Sequence, residues 1–285
     1  MKVLVIGSNG QLGSEIFAGF SAAGAEVIGL NHDEIEVSDY DSVSKNINNI
    51  SPEITINTAA MHNVEKCEQQ PALSFAVNGI GARNLAKTCS EFGSVLMHIS
   101  TDYVFDGRKT APYVESDSVS PLNVYANTKV SGELFVRSVC ERSFVVRTSG
   151  VYGHNPCRAK GGLNFVELML KLAKERPELK VVNDEFLTPT SAKEIARQLV
   201  KLAESDSYGL YHATAEGSCS WYEFAEKIFA LSGVKTSLVA AGPNEFPAKV
   251  PRPKYSVLEN AALKKGSLNI FKRWDEALKE YLETR

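Results

Sequence analysis

The chain has 285 residues, of which 44% are hydrophobic, with 31 basic and 34 acidic side chains and a formal charge of −3. That length and hydrophobic fraction fit one large globular domain or two ordinary ones and argue against disorder. The charge argues against broad nucleic-acid binding, and no apolar run approaches the roughly 20 residues that span a bilayer. The five cysteines lack C-x-x-C spacing and the five histidines form no H-E-x-x-H motif. We therefore expect a cytoplasmic chain without a disulfide framework or a resident metal centre.

The predicted elements of the first half alternate between strand and helix. Short apolar runs predict strands at 2–6, 26–30, 53–57, 94–100 and 143–148. Amphipathic segments predict helices at 11–23, 39–50, 71–92 and within 121–141. Such alternation is typical of βαβ units, so we predict a Rossmann-type, doubly wound parallel sheet in an α/β protein.

After about residue 150 the alternation loosens. We predict helices at 164–176, 191–205, 220–232, 261–265 and 274–283, and a strand at 208–213 that can return to the sheet. Glycine, proline and basic residues predict a mobile loop at 154–162, and prolines an irregular wall at 242–253. We expect an NAD(P)-binding domain of residues 1–152 plus about 188–213. Residues from about 153–187 and 214–285 would form a smaller mixed α/β substrate-binding domain.

A glycine-rich loop, Gly7-Ser8-Asn9-Gly10-Gln11-Leu12-Gly13, directly follows the first predicted strand. Glycines permit a tight turn there and let backbone N–H groups approach a pyrophosphate at the start of the next helix. The spacing is G-x-x-G-x-x-G rather than G-x-G-x-x-G, but the position between strand and helix predicts dinucleotide binding. The expected contacts are Gly7, Asn9, Gly10, Gln11, Leu12 and Gly13.

The tip of the second predicted strand is expected to contact the adenosine part of the dinucleotide. An acidic residue there would favour NADH and an arginine NADPH, but Asn31 and His32 occupy the tip, so both cofactors stay possible. Asp39 and Tyr40 lie where an adenine contact could form. Asp39 could equally cap the helix that begins there.

Tyr125 and Lys129 lie four residues apart in a predicted helix and therefore share one face. A nearby ammonium favours phenolate, which would bring the tyrosine pKa down from its ordinary value of about 10 towards neutrality. Taken alone, the pair could be two exposed helix residues. Thr101 ends a predicted parallel strand at the edge where ligands bind, so its hydroxyl could share a substrate carbonyl with Tyr125.

In chain order, the glycine loop, Asn57-Thr58-Ala59-Ala60, Thr101, Tyr125 and Lys129 resemble the extended branch of the short-chain dehydrogenase/reductase superfamily. The resemblance implies that Lys129 binds the nicotinamide ribose and that Asn78 orders a proton-relay water. It also implies that the loop after the third strand lines the cofactor, through Ala59, Ala60, Met61 and His62.

Further matches narrow the resemblance to the dTDP-4-dehydrorhamnose reductase family. They cover nearly the whole chain, at 100–107, 121–125, 147–149, 164–165, 182–184, 189–190, 221–225 and 252–256. The resemblance implies reduction of a deoxy sugar nucleotide at its C4 ketone by NADPH or NADH, with dTDP-4-dehydro-L-rhamnose as substrate and dTDP-L-rhamnose as product. Related dehydratases have Thr-Asp-Glu where this chain has Thr101-Asp102-Tyr103. Without that glutamate to abstract a proton, simple reduction is favoured.

The substrate side departs from the family pattern. Gly150 replaces a tryptophan that packs near the sugar, the connection 153–163 looks longer, and 185–188 replaces a Gln-x-Gly sequence. A different 4-keto sugar nucleotide therefore stays possible. The residues expected to contact substrate are Thr101, Asp102, Tyr103, Gly150, Asn164 and Arg252. Arg252 is placed to pair with the nucleotide diphosphate, although it could instead form a structural ion pair.

The resemblance also bears on assembly and on other functions. The family can form a magnesium-bridged dimer, and Glu15 matches one of its acidic residues, but Lys193 stands near the other, with Glu194 beside it. A Mg²⁺ ion at a dimer interface is one alternative, and Glu15 as a solvated first-turn carboxylate is the other. We expect a monomer or homodimer. A reductase or epimerase for another sugar nucleotide and a non-catalytic NADP-binding regulatory subunit also stay open.

Overall fold

A computed structural model describes residues 1–157, 161–242 and 245–285. The strands in chain order are β1 (Lys2–Ile6), β2 (Glu26–Leu30), β3 (Ile54–Asn57), β4 (Val95–Thr101), β5 (Ser143–Thr148), β6 (Val151–Tyr152), β7 (Glu178–Val181), β8 (Phe186–Leu187), β9 (Thr190–Ser191), β10 (Gly209–His212), β11 (Cys219–Ser220) and β12 (Ser237–Ala240). The helices are α1 (Gln11–Ala22), α2 (Tyr40–Ile50), α3 (Val64–Gln69), α4 (Pro71–Phe75), α5 (Gly81–Phe92), α6 (Val124–Val139), α7 (Phe165–Glu175), α8 (Ala192–Ala203), α9 (Trp221–Ser232), α10 (Ala261–Lys265) and α11 (Trp274–Glu283). Within these described ranges, no helix combines the length and apolarity needed to cross a membrane.

Six strands form a parallel sheet in the order β10-β5-β4-β3-β1-β2. The carboxyl ends of parallel strands lie at one edge, so Ile6, Asn57, Thr101 and Thr148 end there together. Sequence order reverses between β1 and β3, which is the switch point where open α/β sheets bind ligands. The prediction of a parallel α/β sheet is confirmed, including the return of the segment 208–213 as β10.

Apolar side chains cover both faces of this sheet. On one face Ile16 of α1 and Leu199 of α8 pack with the odd-numbered positions of β1. On the other face Ile47 of α2 and Leu85 of α5 pack with Leu4 and its neighbours. Because strands buried on both faces carry apolar side chains at successive positions, the β1 sequence reads as a continuous hydrophobic run.

A further apolar cluster lies apart from these two and joins α7, β7, α9 and α11. Its buried side chains include Met169, Leu179, Phe224 and Leu278. The cluster supports the idea of a second unit made from the later part of the chain. The proposed division at residues 152, 188 and 213 stays a prediction.

Several local features were not predicted. The expected helix 71–92 is α4 and α5 joined by a π-helical turn, Ala76–Ile80. Helix α3 and the strands of two to four residues outside the sheet, among them β6 to β9, are too short to produce a clear periodicity. The predicted mobile loop and irregular wall include residues 158–160 and 243–244, which lie outside the described residues.

A buried ion pair ties α6 to the sheet. The Arg147 guanidinium on β5 donates from Nη2 to Glu133 Oε2 at 2.6 Å and from Nε to Oε1 at 2.9 Å. Both side chains are at least 96% buried, and the Ser100 hydroxyl donates to the same carboxylate at 2.5 Å. Removing two charges from water is costly, and their mutual attraction offsets this cost only while both side chains are present. Removal of either one leaves the other charge buried without a partner.

We expect Arg147→Met to reduce the free energy of unfolding by about 3–5 kcal/mol, because it leaves the Glu133 carboxylate buried without its cation. Urea denaturation measures the change. The exposed pair of Lys171 and Glu175 gives a matched control, and Lys171→Met should change stability by no more than about 0.5 kcal/mol. The double variant Arg147→Met/Glu133→Leu should recover part of the loss. Equal losses for Arg147→Met and Lys171→Met would refute this account.

Candidate active site

The glycine-rich turn between β1 and α1 is built for close backbone approach. Gly7 has φ +82°, and a Cβ there would lie 2.7 Å from Thr58 Oγ1. A Cβ on Gly13 would collide with the Gly7 carbonyl oxygen. Gly10 precedes α1, and no described side chain caps that helix end by a hydrogen bond. This cradle of backbone N–H groups fits a pyrophosphate, as the sequence predicts.

Asn31 lies against this turn, at the end of β2. Its side-chain oxygen accepts from the Asn9 backbone N–H at 3.2 Å and from the Ser8 hydroxyl at 3.3 Å. The backbone N–H of Asn31 donates to the Glu34 carboxylate at 2.8 Å. These contacts hold the turn to the strand that should face the adenosine. Contact of Asn31 with the adenosine part of the cofactor stays a prediction.

Asp39 and Tyr40 have structural contacts of their own. The Asp39 carboxylate accepts from the Asp41 backbone N–H at 3.1 Å and caps α2, which is one of the two roles that the sequence allowed. The Tyr40 hydroxyl donates to Glu91 at 2.7 Å. Contact of either residue with an adenine stays a prediction.

Asn78 holds the loop after β3 to helix α6. Its amide oxygen accepts from Met61 N at 2.8 Å, and its Nδ2 donates to Met61 O and to Thr128 Oγ1, each at 2.9 Å. Both N–H groups of the amide are thereby used. These contacts position Met61 and the loop beside it, and the implied role of Asn78 in ordering a relay water stays a prediction.

Thr101, Asp102 and Tyr103 come at the carboxyl end of β4. The Thr101 hydroxyl donates to Asp102 Oδ1 at 3.0 Å and accepts from the Tyr103 N–H at 3.2 Å. Burial raises the pKa of the Asp102 carboxyl, although hydrogen bonds from the Ser256, Ser149 and Thr101 hydroxyls oppose that effect. The carboxyl is thus buried among hydroxyl donors beside the predicted catalytic threonine.

The Tyr125 hydroxyl lies near enough to Thr101 for the threonine hydroxyl to influence its pKa, and the sharing of one substrate oxygen by the two stays a prediction. Burial raises the pKa of Tyr125 above its ordinary value, a hydrogen bond with Thr101 opposes this, and the Asp102 charge adds to it. The Tyr103 ring packs edge-on against the Tyr125 ring, with centroids 6.0 Å apart. The two side chains therefore lie near each other at the carboxyl edge, where one substrate oxygen could contact both.

Lys129 is almost fully buried one helical turn after Tyr125. Its Nζ donates to the Ile99 carbonyl oxygen on β4 at 2.6 Å. Burial lowers the lysine pKa to about 8, and the Glu133 charge opposes that effect. Burial of the phenol raises the pKa of Tyr125, and a lowering of that pKa by Lys129 stays a prediction.

Gly150 does not leave an open space where the family tryptophan would stand. It has φ +56°, and a Cβ there would lie 2.8 Å from Leu187 Cδ1, 3.0 Å from Pro189 Cα and 3.0 Å from Thr188 O. Two of the departures from the family pattern are therefore in direct contact. The segment 187–189 fills the space on the Cβ side of Gly150, and contact of Gly150 with the substrate stays a prediction.

Asn164 is a helix cap rather than an open polar side chain. Its Oδ1 accepts from the Glu167 N–H at 3.0 Å, and its Nδ2 donates to Gly153 O at 2.9 Å and to the Tyr281 hydroxyl at 3.2 Å. These bonds begin α7 and fix the chain at Gly153. They give no support to the predicted contact with substrate.

Arg252 forms the ion pair that was one of the two roles left open by the sequence, and its pairing with the nucleotide diphosphate stays a prediction. Its Nη2 lies 2.6 Å from Glu65 Oε1, which is the predicted ion pair. Its Nε is buried and has no hydrogen-bond partner among the described residues. Burial raises the pKa of the nearby Glu185, and the Arg252 charge counteracts it. A buried, unpaired guanidinium N–H is an expected feature of an anion site before the anion binds.

The acidic residues considered for magnesium are engaged with basic side chains. Glu15 Oε1 lies 3.0 Å from His154 Nδ1, and Glu194 Oε1 accepts from Arg197 at 2.5 Å. Among the described residues, no group of three potential ligands could hold a metal ion. A Mg²⁺ ion at a dimer interface therefore has no support here.

Sequence reasoning missed Ser149, Ser256 and His98. Ser149 follows β5 as Thr101 ends β4, so its place at the carboxyl edge was a usable signal. Ser256 lies more than 150 residues along the chain from Asp102, and nothing in its local sequence indicates the contact. His98 lies in β4 and contacts Lys129, a cross-element contact that spacing does not reveal.

The parallel sheet and the glycine turn at its switch point define a Rossmann-type α/β protein with a dinucleotide cradle. A family model described as the RmlD substrate binding domain matches residues 1–285, and the chain belongs to this dTDP-4-dehydrorhamnose reductase family, as its sequence motifs predict.

Three relatives document the match. The spore coat polysaccharide biosynthesis protein SpsK of Bacillus subtilis is 42% identical over 284 residues, covering 100% of this chain and 98% of the relative. The dTDP-4-dehydrorhamnose reductase structure from Clostridium acetobutylicum has a TM-score of 0.95 and 40% identity, covering 100% of this chain and 99% of that one. The Bacillus anthracis enzyme of the same name, solved in complex with NADP, has a TM-score of 0.95, 34% identity and the same coverage.

We expect Gly150→Ala to destabilise the protein more than a glycine replacement with free space around it. Gly233 has a similar φ of +66° with nothing within 4 Å of its Cβ position, so Gly233→Ala should cost only the backbone strain of about 1–2 kcal/mol. The Leu187 and Pro189 contacts should add roughly 1–3 kcal/mol at position 150. Urea denaturation of both variants measures the difference, and equal losses would show that the space beside Gly150 can adapt.

Proposed function

We propose that the protein is an NAD(P)H-dependent sugar-nucleotide 4-ketoreductase that converts dTDP-4-dehydro-L-rhamnose to dTDP-L-rhamnose. The observation that carries the proposal is that Thr101 ends β4 at the same sheet edge as the glycine cradle, and that the Tyr125 ring packs there against Tyr103, two residues after Thr101. The names and NADP complex of the relatives support the same activity.

Tyr125 acts as the proton donor in this proposal. A bound NADPH or NADH supplies the hydride to the C4 carbonyl carbon. Because burial keeps the pKa of Tyr125 above its ordinary value, the phenol holds its proton at neutral pH until negative charge develops on the C4 oxygen. In this scheme the Thr101 hydroxyl turns its proton from Asp102 Oδ1 to that same oxygen and stabilises the developing alkoxide.

Lys129 and the loop after β3 orient the cofactor in this scheme. The lysine Nζ is held at the Ile99 carbonyl, close to the carboxyl edge, where its remaining N–H groups can bind the nicotinamide ribose hydroxyls. Met61, fixed by Asn78, brings Ala59, Ala60 and His62 to the same side. Asn31 and the turn 7–13 would hold the adenosine side and the pyrophosphate.

Arg252 binds the diphosphate of the sugar nucleotide in this proposal. Its Nε–H has no partner among the described residues, and its Nη2 donates to Glu65. Together these two nitrogens can bind two phosphate oxygens in the bidentate manner typical of arginine. Asp102 and Tyr103, beside the two catalytic hydroxyls, would bound the sugar. Because Leu187 fills the space beside Gly150, a different 4-keto sugar nucleotide is the second candidate substrate.

The cofactor and the setting follow from the same residues. Asn31 and Glu34 at the tip of β2 provide neither the arginine that reads a 2′-phosphate nor a carboxylate placed as in NADH-specific enzymes, so we propose that NADPH and NADH are both accepted. All five cysteines are buried free thiols, which suits a reducing cytoplasm. A monomer or homodimer stays our prediction for the oligomeric state.

Purified, folded protein is mixed with dTDP-4-dehydro-L-rhamnose and either NADPH or NADH, and absorbance of the reduced nicotinamide is followed. Consumption with formation of dTDP-L-rhamnose, identified by NMR, supports the proposal. Consumption only with another 4-keto sugar nucleotide supports the second candidate. Cofactor binding without oxidation for any such ketone, together with co-purification of a partner protein, would point to a regulatory subunit.

We expect Tyr125→Phe to lower kcat by about 10²–10⁴-fold, because the phenol proton is the one transferred to the alkoxide. The dissociation constant for NADPH, followed by its fluorescence, should change little. Tyr208→Phe is the control, because the Tyr208 hydroxyl bonds to Asp206 and Arg142 and takes no part in the proposed site. Full activity of Tyr125→Phe would remove this residue from the mechanism.

We expect Arg252→Ala to raise KM for the sugar nucleotide by about ten- to a hundredfold, because charge-assisted hydrogen bonds to the diphosphate are lost. The dissociation constant for NADPH should stay within a factor of two. Lys254→Ala is the control, since Lys254 is an exposed neighbouring cation paired with Asp184. An unchanged KM in Arg252→Ala would assign the arginine to the ion pair alone.

A further inference from the structure

Three buried polar side chains form a chain behind Tyr125. Asn57 on β3 lies 3.0 Å from His98 on β4, through Nδ2 and Nδ1. The opposite ring nitrogen, His98 Nε2, lies 3.4 Å from Lys129 Nζ. All three side chains are at least 97% buried. Neither Asn57 nor His98 is used by the reduction as proposed above.

The contacts of Asn57 determine the tautomer of His98. The Asn57 side-chain oxygen accepts from the Ala59 backbone N–H at 3.1 Å, so the other end of the amide, facing the ring, is the NH₂ group. His98 Nδ1 must therefore accept. Burial and the Lys129 charge hold the pKa of His98 well below its ordinary value, so the ring is neutral and carries its one proton on Nε2.

An Nε2–H on His98 faces Lys129 and demands an acceptor. A lysine ammonium has no lone pair, whereas a neutral amine has one and can still donate to the Ile99 carbonyl at 2.6 Å. Charging Lys129 therefore places two donors against each other, unless His98 changes tautomer and gives up its bond from Asn57. The Asn57–His98 pair thus favours the amine form of the lysine.

Helix α6 approaches closely enough for this contact only because residue 132 is glycine. A Cβ at Gly132 would lie 2.6 Å from the Asn78 carbonyl oxygen and 3.3 Å from His98 Nε2. The site of the imidazole is therefore confined by the helix backbone on one side and by β3 on the other. Its orientation is fixed by packing as well as by hydrogen bonds.

We propose that His98 is a positioning residue for Lys129: locked by Asn57 with Nε2–H towards the lysine Nζ, it stabilises the neutral amine and sets the pH at which Lys129 acquires its charge. This role rests on the proposed function for its effect on turnover, but not for its effect on the lysine. The other charged group that acts on Lys129 is Glu133 on α6, whose carboxylate is paired with Arg147 on β5.

The tautomer is tested without any activity measurement. Protein labelled with ¹⁵N in histidine is studied by long-range ¹H–¹⁵N correlation, and His98→Gln identifies the His98 signals by their loss. We expect a ring that carries its one proton on Nε2 and stays neutral from about pH 9 down to about pH 6. A free imidazole gains its second proton in roughly the lower part of that range. An Nδ1–H ring, or a ring that becomes charged near its ordinary pKa, would overturn the proposal.

The effect on Lys129 is tested through NADPH binding. A positive charge attracts the anionic cofactor, so affinity should weaken as pH rises through the lysine pKa of about 8. His98→Leu removes the N–H donor that favours the neutral amine of Lys129. The midpoint of the fall in NADPH affinity with pH should therefore move up by about one pH unit. His98→Gln, whose amide can present an N–H at the same place, should restore the midpoint of the unmodified protein. An equal midpoint in all three proteins would overturn the proposal.

A second buried histidine provides the control for folding. His212 lies against Arg147 and the Tyr113 carbonyl, and burial lowers its pKa to about 3. His212→Leu should reduce stability without moving the NADPH midpoint, whereas His98→Leu should move it and lower kcat about tenfold. If no sugar-nucleotide ketone is reduced, the proposed function fails, but the tautomer and the NADPH midpoints still decide the role of His98.

Discussion

The close approach of α6 to the sheet is the constraint on which the candidate site depends. Gly132 leaves no room for a side chain between this helix and the Asn78 carbonyl. On the same face, Lys129 bonds to Ile99 of β4 and Glu133 pairs with Arg147 of β5. A helix anchored at two successive turns has little freedom to slide or rotate. Tyr125, one turn earlier, is thereby held where β4 ends.

Burial, more than pairwise charge, sets the character of the reacting groups. It raises the pKa of Tyr125 and lowers that of Lys129, so both groups are shifted towards their neutral forms. A neutral phenol can give its proton to an alkoxide, and a lysine poised between amine and ammonium responds to small changes in its surroundings.

Local patterns revealed more of this protein than cross-element contacts did. The turn from β1 through Gly7 to α1 could be predicted, because strand, glycines and helix are consecutive in the sequence. The nearness of Thr101 to Tyr125 followed from parallel strands that end at one edge. By contrast, Leu187 and Gly150 lie in separate segments of the chain, and no helical or strand periodicity in the sequence predicts that they come together. Asn164 likewise looked like a binding residue because a helix cap and a ligand contact use the same amide group.

The substrate side is where such long-range contacts matter most. Leu187, beside Gly150, belongs to β8, whose Phe186 exchanges backbone hydrogen bonds with residues 254 and 256. Ser256 in turn bonds to Asp102, next to Thr101. A change at Gly150 therefore reaches the hydroxyl pair through one short chain of contacts, while the cradle of the first turn lies outside that chain. The sugar pocket can diverge from its relatives because these irregular segments support one another and leave the parallel sheet, with its Tyr125 and Lys129 helix, unchanged.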